Sequence, residues 1–284
     1  MQQISSFQTA STGRLYLVPT PIGNLEDMTM RAVKTLEAVS LIAAEDTRHT
    51  QQLLNHFEIT TPTISFHEHN TAQRIPQLLE RLQNGEDIAQ VSDAGMPSIS
   101  DPGKELVKAC VEADLPVVAL PGANAALTAL VASGLVPQPF YFYGFLDRKQ
   151  QAQQAELTAL KEREETMIFY EAPHRLAKTL ANVVAVLGPE RPVVLAREVT
   201  KRYEEYLRGT AAELLNWAQT ATVRGEFVML IGGAPKETVT FDDDPLQAIQ
   251  SLIANGTKVN AAIKQVAKER DLNRQELYRQ FHEL

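Results

Sequence analysis

DIAQVSDAGMPSISDPG, residues 87–103, is a short apolar run followed by small, turn-forming and acidic residues. The apolar part, Asp87–Val91, predicts a buried β-strand. In the part that follows, small residues let the backbone approach a ligand closely, and exposed N–H groups can bind carboxylate or hydroxyl groups. A carboxylate such as Asp93 can also orient polar groups of a ligand or balance a positive charge. We therefore expect a ligand-binding loop directly after a buried strand.

The chain on both sides of this stretch alternates short apolar runs with longer amphipathic segments. The other predicted strands are 15–18, 40–44, 63–66 and 115–120. The predicted helices are 29–39, 47–56, 71–84 and 102–112. Such alternation of continuously apolar strands with helices is typical of a largely parallel sheet that is covered on both faces. Asn84-Gly85 predicts a helix C-cap, and Asp101-Pro102 predicts the start of the next helix.

Three further motifs follow predicted strands, at the edge of a parallel sheet where ligands bind. They are Pro19–Asn24 after the first strand, Glu45–His49 after the second and Pro121–Ala126 after the fifth. Each also has a structural explanation: a rigid turn, a helix cap and tight packing. Capping by Asp46 or Thr47 leaves the remaining polar residues of the second motif unexplained, so we expect that motif to face a polar site.

The pattern changes after Gly122. An apolar, small-residue helix is predicted at 123–133, followed by the linker Pro137-Gln138-Pro139. The predicted strands beyond it are 140–145, 166–170, 192–196 and 226–231, with helices at 149–165 and 173–187. We expect two α/β domains, residues 13–122 and 123–235.

The C-terminal segment 246–284 has a helical pattern throughout. It carries six Lys and Arg against four Asp and Glu, a net charge of +2, whereas the whole chain carries −8. Helices at 259–270 and 275–281 with a short turn between them resemble a helix-turn-helix, with Asn273 as the N-cap of the second helix. Cations that can reach phosphates are Lys264, Lys268, Arg274 and Arg279. The alternative is a helical hairpin that packs on the protein itself.

Composition excludes several classes of protein. The single cysteine, Cys110, excludes an intramolecular disulfide and a cysteine-based metal cluster. The polar N-terminus does not resemble a signal peptide, and no apolar run is long enough to span a membrane. His67 and His69 have metal-like spacing, but no further ligand lies near them, so we expect no metal site. We expect a cytoplasmic protein without a membrane partner.

Six separated motifs together resemble the tetrapyrrole-methylase superfamily. They resemble most the branch that methylates the ribose 2′-hydroxyl of a cytidine in small-subunit (16S) ribosomal RNA. The motifs are PTPIGNL, AAEDTRHT, VSDAGMPSISDPG, FYEAPHR, AREVTK and Gly225-Glu226. The resemblance implies a two-domain α/β tetrapyrrole-methylase-type fold with a small C-terminal helical module, a homodimer, and S-adenosylmethionine held between the domains. It also implies 16S rRNA or the 30S subunit as partner.

The resemblance assigns the cofactor contacts to several loops. They are Pro21, Ile22, Asp93, Ala94, Gly95, Ser98, Asn124, Ala125, Tyr170, Glu171, Ala172 and Ala196. This chain departs from the family at Met96, where threonine is common, and at 123–125, where Pro-Ser-Ala is common.

Methyl transfer to a hydroxyl needs positioning and a base that removes the proton. The candidate bases are Glu45, Asp46, Glu171, His174 and Glu198, and the cations placed to hold neighbouring phosphates are Arg48, Arg175, Arg197 and Lys201. His174 could instead be an ordinary first-turn helix residue, and Arg197 and Glu198 a structural ion pair. Two rival functions are methylation of a small tetrapyrrole and non-catalytic RNA binding.

Overall fold

The computed structural model describes residues 1–6, 11–235 and 243–283, in two compact units, 1–234 and 235–284. The first unit contains two β-sheets, one built from residues before Gly122 and one from residues after it. The proposed division of this unit into domains 13–122 and 123–235 stays a prediction.

The first sheet is parallel, with described strands in the order β3-β2-β4-β1-β5. The strands are β1 (Leu15–Leu17), β2 (Leu41–Ala44), β3 (Thr63–Ser65), β4 (Ile88–Val91) and β5 (Val117–Ala119). The helices between them are α1 (Met30–Ala38), α2 (Thr47–His56), α3 (Thr71–Gln83) and α4 (Lys104–Glu112). Successive strand residues enter two different apolar cores, as the two-residue period of a strand requires: Ile42 and Ala44 enter one, Leu41 and Ala43 the other.

Most predicted helix ends lie within two residues of the observed ones, but the helix predicted at 149–165 ends at Leu160, and the start of α4 also differs. Asn84 is the C-cap of α3, and Gly85 beyond it has a φ of +89°. The predicted start at Asp101-Pro102 is wrong, because α4 begins at Lys104 with Gly103 as N-cap. The Pro102 carbonyl accepts a hydrogen bond from Gln90 Nε2 at 2.6 Å, and a Cβ at Gly103 would overlap the Gln90 amide. The buried Gln90 side chain therefore delays the helix.

The second sheet is mixed, with described strands in the order β6-β7-β10-β8-β9. Of these neighbouring strands, β6 and β7 are parallel and the other pairs are antiparallel. The strands are β6 (Phe140–Phe145), β7 (Thr166–Glu171), β8 (Pro192–Arg197), β9 (Glu205–Thr210) and β10 (Phe227–Ile231). The helices are α5 (Ala125–Ser133), α6 (Gln150–Leu160), α7 (Pro173–Leu187) and α8 (Ala211–Thr220). Sequence patterns did not predict β9 or α8. β9 was missed because it is an edge strand without a continuous apolar run.

The second unit is a bundle of three described helices, α9 (Pro245–Ala254), α10 (Val259–Glu269) and α11 (Arg274–His282). Ile249, Ile263 and Leu277, one from each helix, share an apolar core. The N-cap prediction is confirmed, since Asn273 Oδ1 accepts hydrogen bonds from two N–H groups of the first turn of α11. No helix in the described part of the chain is both long and apolar enough to cross a bilayer.

Candidate active site

The carboxyl ends of the parallel strands meet at one edge of the first sheet, and a cavity of about 580 Å³ opens there. The second sheet supplies its other wall, because β7 and β8 end at the same edge and β10 begins between them. Nine residues predicted to contact the cofactor line this cavity: Ile22, Ala94, Gly95, Asn124, Ala125, Tyr170, Glu171, Ala172 and Ala196. Pro21, Asp93 and Ser98 do not line it.

The loops after β1 and β4 are joined by an antiparallel bridge between Thr20 and Gly95. Each residue donates its N–H to the other's carbonyl at 3.0 Å, and the buried Thr20 hydroxyl donates to the Ser92 carbonyl at 3.0 Å. Gly95 has a φ of +79°, and a Cβ there would lie 3.2 Å from Ile22 Cγ2. Glycine is therefore required where the two loops approach each other.

Asp93 links the loops after β2 and β4 without lining the cavity. Its N–H donates to Glu45 Oε2 at 3.2 Å, and its Oδ1 accepts from the Asp46 N–H at 3.2 Å. Burial raises the pKa of the Glu45 carboxyl, the Asp93 N–H partly offsets this, and neighbouring carboxylates, Asp101 first, raise it further. Glu45 is thus a better proton acceptor than an ordinary glutamate, but neither it nor Asp93 lines the cavity.

Asp46 and Arg48 form an exposed pair outside the cavity lining. The Asp46 carboxylate accepts from the Arg48 backbone N–H at 2.8 Å, which caps α2, and from Nη2 at 2.7 Å. The hydrogen bond from the Arg48 side chain lowers the pKa of Asp46 far below its usual value. Asp46 is therefore a weak base, and the capping role explains its position.

Sequence reasoning did not identify Asp101 as a site residue. It lines the cavity together with Ser100 and Ile99. Burial raises the pKa of its carboxyl, a hydrogen bond from Ser92 lowers it in part, and the charge of Asp93 raises it again. Its signal in the sequence was the SDPG segment, which we interpreted as a helix start. Because α4 begins two residues later than Pro102, Asp101 is available to the cavity.

Glu171, at the end of β7, accepts three hydrogen bonds with its carboxylate. Oε1 accepts from the Ala172 N–H at 2.9 Å and from Arg175 Nε at 3.1 Å, and Oε2 accepts from the Thr179 hydroxyl at 2.5 Å. The Thr179 oxygen in turn accepts from Gln153 Nε2 at 3.2 Å. The Glu171 side chain is only 1% exposed. This network fixes the wall of the cavity and uses three of the roughly four lone-pair sites that a carboxylate offers, so Glu171 mainly holds structure.

Glu198, Lys201 and Glu226 form a charged triad at the cavity rim. Lys201 Nζ lies 3.1 Å from Glu198 Oε1 and 2.7 Å from Glu226 Oε2. The Glu226 N–H donates to Glu198 Oε1 at 2.9 Å, and this bond lowers the pKa of Glu198. The Lys201 stem lies against Gly23, where any Cβ would collide with it. The triad joins the two walls and makes Glu198 a weak base.

Two predicted phosphate-binding arginines are instead used internally. Arg197 Nε donates to the Arg224 carbonyl at 2.7 Å, and Nη1 pairs with Glu205 at 2.5 Å. Arg175, besides Glu171, donates to the Leu146 carbonyl at 2.7 Å. His174 does line the cavity and is exposed. Across the described ranges, no three His, Cys, Asp or Glu residues are grouped so as to hold a metal ion.

Residues 14–215 match the family model described as Tetrapyrrole (Corrin/Porphyrin) Methylases. This chain belongs to that family. The predicted methylase fold is therefore confirmed. Two relatives called ribosomal RNA small subunit methyltransferase I align over nearly their whole length. One, from Streptococcus pyogenes serotype M18, is 53% identical and covers 100% of both chains; the other, from Bacillus subtilis, is 49% identical and covers 99% of this chain and 98% of its own.

Solved structures of the family share the fold at lower identity. Uroporphyrin-III-C-methyltransferase from Thermus thermophilus is 21% identical, with a TM-score of 0.56, covering 78% of this chain and 95% of its own. A structure of that enzyme complexed with S-adenyl homocysteine is 18% identical, with a TM-score of 0.55, covering 78% and 97%. These similarities show the fold of the methylase family in this chain.

We expect Thr179→Val to destabilise the protein by about 1–3 kcal/mol, because it leaves a buried carboxylate without one of its donors. Urea unfolding followed by the fluorescence of Trp217, the single tryptophan, measures this. Thr179→Ser should restore most of the loss, and Thr158→Val, at an exposed position of α6, should change little. Equal stability of Thr179→Val and Thr158→Val would contradict the role of the network.

Proposed function

We propose that this protein transfers a methyl group from S-adenosylmethionine to the ribose 2′-hydroxyl of a cytidine in 16S rRNA, in the cytoplasm, with the 30S subunit or its RNA as partner. The observation that carries the proposal is the full-length 53% identity to a relative called ribosomal RNA small subunit methyltransferase I. Methylation of a small tetrapyrrole has weaker support, because uroporphyrin-III-C-methyltransferase from Thermus thermophilus is only 21% identical to this chain and shares only the fold. A non-catalytic RNA-binding protein would not need the lined cavity.

The cavity residues fit S-adenosylmethionine. A volume of about 580 Å³ lies in the range of small-molecule sites. Gly95, Ala94 and Ala125 leave room for close backbone contact, and Asp101 and Glu198 place negative charge on the wall. Acidic groups complement a positively charged sulfonium. S-Adenosylmethionine, when bound, supplies a methyl group on that sulfonium with a neutral leaving group, so no metal is needed.

We assign cofactor binding to the nine predicted residues that line the cavity, with Pro21, Asp93 and Ser98 shaping the loops behind them. Pro21 follows the bridged Thr20, and Asp93 holds the loops after β2 and β4 together. Ser98 has a φ of +69° and lies against Gly103. Their contribution is the shape of the loop and not direct contact.

We assign the general base to Asp101. A base works best when its pKa lies near the working pH and it reaches the proton directly. Burial raises the pKa of Asp101 above the usual value of an aspartate, in the direction of the working pH, and Asp101 lines the cavity. Glu171 is buried and already accepts three hydrogen bonds within the protein, and Asp46 and Glu198 have lowered pKa values. Glu45 has a raised pKa but does not line the cavity, and it accepts a hydrogen bond from the loop that carries Asp93.

Asp101→Asn should reduce kcat for RNA methylation by about 10²–10⁴-fold, because a positioned base contributes that much. The wild-type rate should rise with pH as the Asp101 carboxyl loses its proton, at a pH above the usual range of aspartate. The rate of the variant should not show this rise. Methyl transfer to 30S subunits across a pH series measures both. S-Adenosylmethionine affinity by calorimetry, and the exposed Glu112→Gln variant, serve as controls. A wild-type pH profile in Asp101→Asn would contradict the assignment.

The exposed face of α5 supports a homodimer. Ala126, Ala129 and Leu130 of this helix pack on the second sheet, yet Leu127 and Val131 on the other side are 46% and 78% exposed. A helix that is apolar all round is normally buried on all sides. We propose that a second copy of the chain covers this face.

Leu127→Glu with Val131→Glu should convert the dimer to a monomer, because two carboxylates would be buried at the interface without partners. Light scattering after gel filtration gives the mass. Val111→Glu, which places a charge on an exposed apolar position of α4, is the matched control and should leave the dimer intact. An unchanged mass for the double variant would exclude this face.

Exposed cations of the three-helix unit support RNA binding. Lys264 and Lys268 are exposed one turn apart on α10, and Arg274 is exposed at the start of α11. Arg279, predicted to contact phosphate, is instead paired with Glu276 at 2.7 Å. We therefore assign phosphate contacts to Lys264, Lys268 and Arg274.

Replacing these three residues with glutamine should make the salt dependence of RNA affinity shallower by a log–log slope of about 2, since each single-stranded phosphate contact contributes roughly 0.7. Binding titrations with 16S rRNA from low to physiological salt measure it, and S-adenosylmethionine affinity should not change. An unchanged slope would leave the three-helix unit a purely structural role.

A further inference from the structure

Phe145 stands between the main cavity and a neighbouring one. Its ring is 57% exposed and packs edge-on against Tyr170, with centroids 5.5 Å apart. It lines the main cavity and also an adjacent cavity of about 590 Å³, which is walled by the loop 145–149 and Arg175. The pairing register of β6 with β7 shifts between Phe142 and Gly144, and Gly144 has a φ of +88°. Such bulges redirect side chains and occur beside active sites, so the chain presents an apolar ring to solvent at this rim.

The loop that follows Phe145 is held in place by hydrogen bonds. Arg175 Nη2 donates to the carbonyls of Leu146 at 2.7 Å and Asp147 at 3.1 Å. The Asp147 N–H donates to Glu156 at 2.9 Å, and the Asp147 carboxylate accepts from the Lys149 N–H at 2.7 Å. Because Arg175 also pairs with Glu171, the loop is tied directly to the wall of the main cavity. A fixed loop loses little conformational entropy on binding a ligand.

Two cations of this loop are available to a ligand. Arg148 and Lys149 are exposed, and within the described residues neither forms an ion pair. Residues 145–149 themselves carry the two positive charges of Arg148 and Lys149 against the one negative charge of Asp147. A solvent-exposed aromatic ring next to unpaired cations is the combination that binds single-stranded nucleic acid, where bases stack and phosphates pair with cations.

We propose that Phe145, Arg148 and Lys149 bind the nucleotide next to the methylated one, in a single-stranded segment of the RNA. The base of that nucleotide stacks on the Phe145 ring, and its phosphates pair with Arg148 and Lys149. The nucleotide that carries the reacting hydroxyl then enters the main cavity past Tyr170. This proposal rests on the proposed function and adds a contact surface that no family motif in the sequence indicated.

The test compares steady-state methylation of 30S subunits by wild type, Phe145→Ala, Phe145→Tyr and the double variant Arg148→Gln/Lys149→Gln. Loss of a stacked base should raise KM for RNA about tenfold or more in Phe145→Ala. Phe145→Tyr keeps an aromatic face and should stay near wild type. The double variant should raise KM for RNA with little change in kcat. S-Adenosylmethionine affinity by calorimetry should stay within about twofold for all variants, because stacking loss acts on RNA alone.

The matched control is Lys104→Gln/Lys161→Gln, which removes the same charge at exposed positions on α4 and at the end of α6. If the loop variants and this control have the same KM for RNA, the proposed surface is wrong. A weakened S-adenosylmethionine affinity in Phe145→Ala with unchanged KM for RNA would also overturn it, by showing that the ring serves the cofactor. If wild type binds the cofactor but methylates no ribosomal RNA, the proposed function itself fails.

Discussion

The pair of hydrogen bonds between Thr20 and Gly95 joins the loops after β1 and β4, and the rest of the site depends on this bridge. Parallel strands bring their following loops to one edge, but they do not fix the distance between those loops. The bridge does so, and the absence of a side chain at Gly95 lets Ile22 approach to van der Waals distance. Once these loops are fixed, the first sheet presents a continuous wall, which the ends of β7 and β8 face from the second sheet.

The carboxylates around this cavity differ in chemistry because their surroundings differ. Asp101 and Glu45 are partly buried among other acids, which raises their pKa values. Asp46 and Glu198 accept hydrogen bonds that favour the charged form, which lowers theirs. One small region thus separates groups suited to accept a proton from groups that hold structure. This division of roles between neighbouring carboxyl groups is a common way to assign acid and base functions.

The distribution of cations shows how a chain with net charge −8 can bind an anionic polymer. Arg175, Arg197 and Lys201, although near the cavity, are bound to carboxylates and carbonyls and act as internal braces. The exposed cations that we assign to RNA lie elsewhere, on the loop after β6, on α10 and at the start of α11. Recognition of RNA by local patches is consistent with this arrangement, because a global positive field is missing.

The sequence by itself determined the fold class, most strand and helix positions, the caps at Asn84 and Asn273, and the loops that line the cavity. These features follow from local patterns: apolar periodicity, turn residues and the rule that ligands bind beyond strand ends. The tertiary structure decided three features that the sequence patterns did not indicate: where α4 starts, that β9 is a strand, and what Arg175 binds. Gln90 delays α4 and frees Asp101, β9 exists through pairing with β8, and Arg175 is used to hold the loop after Phe145. Each of these depends on contacts between separate elements and loops, so the partner of a polar side chain, and hence its role, is fixed only when the chain has folded.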